Sequence, residues 1–156
     1  MYKKLLIFIP HINVGGVEKN FFLITNYLAK KLNNNVAVIT VNKEFTKKLK
    51  KNIKIISPKS NKWEKSTMYT KYTISLFLLI KTLLSDRNYL VFSFQANWYS
   101  IIVTKLFGLK IITRSNTAPE GWSKGVLKKF FYKLVINFAD KIIVNSNEFK
   151  ESLKKY

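Results

Sequence analysis

A chain of 156 residues fits one domain able to bury roughly 70% of its extended surface, and 47% hydrophobic with 15% aromatic content makes it a packed globule rather than a disordered chain. No cysteine is present, which excludes disulfides and thiolate metal sites, and one histidine leaves little room for zinc. The formal net charge of +20, from 28 basic and 8 acidic residues, implies an anionic partner or surface and does not choose among nucleic acid, acidic lipid and a phosphorylated substrate.

The first element predicted is the apolar run Leu5-Leu6-Ile7-Phe8-Ile9, which lacks polar alternation and so reads as a strand covered on both faces, as in a parallel sheet. Pro10 closes it. Gly15 and Gly16 follow as a turn in which no Cβ blocks close approach, with the free amides of the next helix facing whatever sits there. That turn is an anion-facing or substrate-facing edge. In the helix, Val17, Phe21, Ile24, Leu28 and Leu32 recur at spacings of three and four and predict one apolar stripe against the sheet. Glu18 in its first turn and Lys30 and Lys31 in its last suit the helix dipole, and Asn33, Asn34 and Asn35 can take the left-handed conformation that ends a helix.

Residues 36–41 form the second predicted strand. Adjacent glycines are not the G-x-G-x-x-G fingerprint and no acid closes this strand, so NAD binding is disfavoured; the G-K-[ST] ending of a phosphate loop is also absent. Residues 44–51 read as a Lys-rich short helix or loop, 53–57 as a third strand ended by Pro58, and 59–65 as a polar, mobile segment. A long helix over 66–85 carries Met68, Tyr72, Leu76, Leu79 and Leu83 at helical spacing, and residues 89–95 make a fourth strand. Asn97 is placed as the N-cap of a helix over 98–107 that Gly108 terminates. Residues 110–113 are a fifth strand, 114–122 a polar loop, 124–138 a helix, 141–146 a sixth strand, and a last helix starts near Asn147.

Strands alternating with helices in this way predict an α/β fold, a three-layer, doubly wound parallel sheet of about six strands. In such sheets ligands bind outside the carboxyl ends of the strands. The loops gathered there are the Gly15-Gly16 turn, 95–97 with Gln95 and Asn97, 114–122 with Arg114, Asn116 and Glu120, and 145–147.

Three stretches resemble the amino-terminal domain of the family-4 retaining glycosyltransferases, whose GT-B architecture pairs two Rossmann-like domains. They are His11-Ile12-Asn13-Val14-Gly15-Gly16-Val17-Glu18-Lys19, similar to that family's G-G-x-E-[RK] turn; Arg114-Ser115-Asn116-Thr117-Ala118-Pro119; and Ala139-Asp140-Lys141-Ile142-Ile143-Val144-Asn145-Ser146-Asn147-Glu148-Phe149, similar to its A-D-x-I-I-x-x-S passage. The resemblance spans essentially the whole chain. It implies transfer of a sugar from a nucleotide-sugar donor to a saccharide or lipid-linked acceptor with retention of configuration, in cell-surface glycan synthesis. It also implies that this domain holds the acceptor and that Gly15 and Gly16 face the donor phosphates.

Where the family commonly carries a histidine after the fifth strand, this chain reads Arg114-Ser115-Asn116. The resemblance makes Arg114 a phosphate or sugar contact, Asn116 a hydroxyl partner and His11 a sugar contact. The plainer alternatives are an Arg114–Glu120 ion pair, a turn started by Asn116, and a structural His11; Glu18 is explained by the helix dipole as readily as by function. The family's donor site, with its paired glutamates, belongs to a carboxyl-terminal domain outside residues 1–156. The expectation is an acceptor-side domain that does not turn over alone, with no metal or cofactor of its own. No catalytic residue is assigned.

Nucleic acid is disfavoured as the partner, because the basic residues are almost all Lys and lie in every predicted element, with Arg only at 87 and 114. Residues 5–9 are too short for a secretory signal, and the apolar run 74–80 is cut by Lys81 far short of a bilayer span. Any membrane contact is therefore peripheral. The helix around Phe130, Phe131 and Lys133 reads either as a docking element for anionic lipid on the inner face of the cell membrane or as a sheet-packing helix with a solvated Lys edge. The expected location is cytoplasmic. The competing function class is a non-enzymatic basic binding module on the same scaffold.

Overall fold

Six strands of the described residues lie side by side in the order β3-β2-β1-β4-β5-β6, every neighbouring pair parallel. They are β1 (Lys4–Phe8), β2 (Val36–Ile39), β3 (Lys54–Ile56), β4 (Tyr89–Ser93), β5 (Ile111–Arg114) and β6 (Lys141–Ile143). The helices are α1 (Gly16–Lys31), α2 (Met68–Ser85), α3 (Asn97–Leu106), α4 (Val126–Ile136) and α5 (Asn147–Lys154), with short 3-10 helices over Glu44–Lys48 and Asn61–Lys65. The structure, a computed structural model, describes residues 4–13, 15–33, 35–95, 97–115 and 126–154.

Successive side chains of a strand point to opposite faces, and both faces here are apolar. Leu6, Phe8, Val91 and Ile111 meet Leu79 and Leu83 of α2, Ile101 of α3, and Val135 and Ile136 of α4 on one side. On the other side Leu5, Ile7, Ile9 and Phe92 meet Phe21 and Ala29 of α1 together with Leu49 and Ile53. The unbroken apolar runs of the sequence are therefore the signature of a sheet buried between two helical layers. This is the three-layer α/β fold expected from the sequence.

Several local expectations shift. In α1 the buried line is Glu18, Phe21, Thr25 and Ala29, one step around the helix from the predicted stripe, and Leu32 is left 40% exposed. In α2 the buried line is Lys71, Ser75, Leu79 and Leu83, so Leu79 and Leu83 hold while Met68 is exposed. Both helices carry apolar residues on more than one side, and the sheet, rather than the periodicity, chooses the phase. Residues 61–65, expected to be mobile, form a 3-10 turn in which the Ser60 side chain caps the Lys62 amide. Asn33 takes the left-handed conformation at φ 45° and Gly108 at φ 69°, which ends α1 and α3 as expected.

Asp140 sits at the opposite edge of the sheet from the strand carboxyl ends. Its Oδ2 accepts from the Ile111 amide at 2.7 Å and from Lys105 Nζ at 2.6 Å, tying the start of β6 to the start of β5 and to α3. Burial pushes its pKa up, but the Lys105 and Ile111 hydrogen bonds outweigh that and hold it below the usual carboxylate value. A group with a depressed folded-state pKa stabilises the fold above its unfolded pKa, about 3.9 for Asp, and loses that stabilisation as pH falls through the folded value. Asp140→Asn is therefore expected to cost about 1 kcal/mol at pH 7, and urea melts should show the gap to wild type closing below about pH 4.

Candidate functional site

Because all six strands are parallel, their carboxyl ends share one rim, and the strand order reverses direction between β1 and β4. That crevice is where open α/β sheets bind ligands. The backbone ladder is closed right up to it, with the Phe94 amide donating to the Phe8 carbonyl at 2.9 Å. His11 leaves the end of β1, Gln95 the end of β4, Arg114 the end of β5 and Asn145 follows β6.

Two clusters form on this rim. The first joins β1, β2 and β4. The Gln95 Oε1 accepts from the His11 amide at 3.3 Å, and the His11 ring Nδ1 lies 3.1 Å from Asn42 Oδ1 and 3.1 Å from Lys71 Nζ. Asn42 Oδ1 also accepts from the Ile12 amide at 3.2 Å, which fixes the orientation of that amide side chain. Gln95 thus acts first as a brace on the loop that carries His11.

The second cluster joins β4, β5 and β6. Asn97 is not an N-cap: it is the first residue of α3, its Nδ2 donates to the Arg114 carbonyl at 2.9 Å, and its Oδ1 lies 3.0 Å from Ser93 Oγ. Ser100 Oγ donates to Ser93 Oγ at 2.9 Å behind it. Asn97 therefore bridges two strand ends and satisfies the last carbonyl of β5.

Arg114 is only 6% exposed. Its Nη2 donates to Asn145 Oδ1 at 2.8 Å, its guanidinium lies 5.8 Å from the Phe94 ring centroid, and Nη1 is buried with no partner among the described residues. Burial lowers its pKa from the ordinary value, yet a guanidinium stays charged in a protein. A buried cation with an unused donor at the carboxyl end of a strand is the arrangement that an incoming oxygen ligand completes. The Arg114–Glu120 alternative and the roles suggested for Asn116 and Glu120 lie outside the described residues.

The glycine turn has its own anion. Gly15 is the N-cap of α1 in an extended conformation, and buried Glu18 folds back so that its Oε1 accepts from the Asn13 amide at 3.4 Å. Its Oε2 would lie 2.9 Å from a Cβ at Gly15, while a Cβ at Gly16 would meet nothing within 4 Å. Glu18 thus does half of a capping box, displaced to the loop before the N-cap.

Sequence reasoning missed Asn42, Lys71, Ser93 and Ser100. Only Lys71 had a readable signal: stepping back by fours from Leu83 and Leu79 gives Ser75 and then Lys71, a cation on a buried line. A depression of about 590 Å³ between α1 and β4–β5 is lined by apolar side chains including Leu23, Leu28, Leu90 and Phe92, with Tyr27 the one lining residue bearing a hydroxyl. It offers no polar group convergence and is not the site.

The parallel sheet, its strand order and its rim define a single Rossmann-like α/β domain. The same fold occurs in Anabaena Alr3699/HepE, solved in complex with UDP-glucose, which superposes with a TM-score of 0.62 at 14% sequence identity over 97% of this chain and 40% of that one. This chain therefore spans 40% of the length of that protein. No family model and no curated protein matches the chain.

Proposed function

We propose that these residues form the acceptor-side half of a retaining glycosyltransferase of the GT-B, family-4 type, which moves a sugar from a nucleotide-sugar donor to a saccharide or lipid-linked acceptor in cell-surface glycan synthesis. The observation that carries the reading is Arg114: a buried guanidinium at the strand-end rim, beside the crevice, whose Nη1 has no partner among the described residues and suits a phosphate or sugar oxygen. The fold shared with a protein that binds UDP-glucose supports it. In this reading His11, Gln95 and Asn97 frame the acceptor, Gly16 leaves room for the donor phosphates, and turnover needs a donor-binding half in addition to these residues. Fold alone does not fix the sugar or the linkage.

The test is a backbone-resonance titration of the chain with UDP-glucose and other nucleotide sugars, alongside a transfer assay. Shifts clustered at residues 11, 16, 95 and 114, without turnover, are the expected result. Shifts scattered over surface lysines would favour the basic binding module, and sugar transfer by the chain alone would refute the need for a second half.

A lipid-linked acceptor calls for contact with the inner face of the membrane, and α4 supports it. On α4 Phe130 is 60% and Leu134 47% exposed, an apolar pair at four-residue spacing beside Lys133, with Phe138 61% exposed in the turn just after it, while Val135 and Ile136 turn to the sheet. Among the described residues no helix is long and apolar enough to cross a membrane. Flotation with vesicles containing phosphatidylglycerol is expected to recover the chain, and the double variant Phe130→Ser, Leu134→Ser to recover several-fold less. Equal recovery with neutral vesicles would reject an acidic-lipid contact.

A further inference from the structure

Lys71 is the unusual group of this molecule. It lies on α2, is 5% exposed, and among the described residues no carboxylate comes within ion-pair distance of its Nζ. The acceptor it reaches is His11 Nδ1, at 3.1 Å. The same Nδ1 is 3.1 Å from Asn42 Oδ1, and one ring nitrogen cannot serve both: it either accepts from the ammonium through its lone pair or carries a proton and donates to the amide oxygen.

The energies decide between them. Asn42 Oδ1 already accepts the Ile12 amide, so losing the ring as a donor leaves it satisfied. The ammonium has no acceptor groups of its own and, without Nδ1, would be a buried charge with an unmade bond, which costs more than a neutral hydrogen bond gains. Nδ1 must then be the acceptor, and in a neutral ring the proton sits on Nε2, for which no partner occurs among the described residues.

We propose that Lys71 is a positioning residue that holds His11 in the Nε2–H tautomer, so that the ring offers to an oxyanion of the ligand, a phosphate or carboxylate oxygen, a donor backed by an ammonium that no described carboxylate pairs. His11 then binds and does not act as a base, since its lone pair is spent on Lys71. Burial lowers the Lys71 pKa from its ordinary value; the carboxylates of Glu64, on the 3-10 helix before α2, and Glu44, on the one after β2, oppose that electrostatically but do not pair with it. Only the identity of the ligand rests on the glycosyltransferase reading, where it is an acceptor bearing an acidic group.

His11 is the sole histidine, so one ring pattern appears in a long-range proton–nitrogen correlation spectrum of the uniformly labelled chain. At about pH 8, where free imidazole is neutral, the expected wild-type pattern is Nε2–H. In Lys71→Met, a variant of similar length checked for folding by its thermal melt, the proton is expected to move to Nδ1 and bond to Asn42. An Nδ1–H pattern in wild type overturns the proposal whether or not the variant folds, and an unchanged pattern in folded Lys71→Met overturns it as well. Titration with inorganic phosphate against chloride at equal ionic strength should move the Nε2 signal saturably, with affinity about tenfold weaker in Lys71→Met, about 1.4 kcal/mol. No movement beyond that with chloride overturns the oxyanion assignment. Neither readout involves a nucleotide sugar, so failure here and failure of the donor titration are separate results.

Discussion

Arg114→Met is expected to leave the fold as stable as wild type or raise its stability by about 1–2 kcal/mol, while weakening nucleotide-sugar or phosphate binding at the rim by about 30-fold or more. The two effects have one cause. Among the described residues Arg114 is buried with one side-chain hydrogen bond and an orphan Nη1, so the fold bears a desolvation cost that a ligand would recover. Methionine fills much of the volume against Phe94 without the charge, and the Asn145 it abandons is exposed and can turn to water. Arg114→Lys should not restore binding, because a point charge cannot bond Asn145 and a ligand oxygen in one plane. Thermal melts read the first effect and titration calorimetry the second. Loss of more than about 2 kcal/mol of stability with binding intact would make Arg114 a structural residue and remove the central support of the proposed function.

Phe21→Ala is expected to have the largest effect on stability, about 4 kcal/mol, a large part of what a domain of this size has in total. Phe21 is fully buried, and its ring meets that of Phe94 edge-on at 5.5 Å and that of Phe22 at 5.0 Å. Phe94 leads directly into Gln95 on the rim, so the cavity would loosen the loop that braces His11. Leu32→Ala, at a position the sequence pattern puts on the same stripe, should cost under about 1 kcal/mol because it is already half solvated. Comparable losses for the two in denaturant melts would mean that α1 faces the sheet along the stripe the periodicity predicts, and not along Glu18, Phe21, Thr25 and Ala29.

These comparisons mark where sequence reasoning stopped. The pattern of apolar runs and turns was enough for six parallel strands, a common rim, and His11, Gln95, Asn97 and Arg114 upon it, because a strand buried on both faces has few other readings. The rotation of α1 and α2 was not legible. Leu, Ile, Phe and Tyr occur around most of their circumference, so several phases fit the spacing almost equally well. The role of Asn97 was misjudged for a related reason: a side chain that can cap a helix can also satisfy a strand carbonyl, and only the position of β5 shows which group is in reach.

What the sequence by itself determined is the layer order and the edge where chemistry is placed, since both follow from which segments must be dry and which must be polar. What only the tertiary structure decided is how the polar groups at that edge pair. Lys71 is 60 residues from His11 and Arg114 is 31 from Asn145. No local periodicity encodes such meetings. They arise when packing two helical layers on one sheet brings distant hydrogen-bonding groups within 3 Å or so and away from water, where each must find a partner or wait for one.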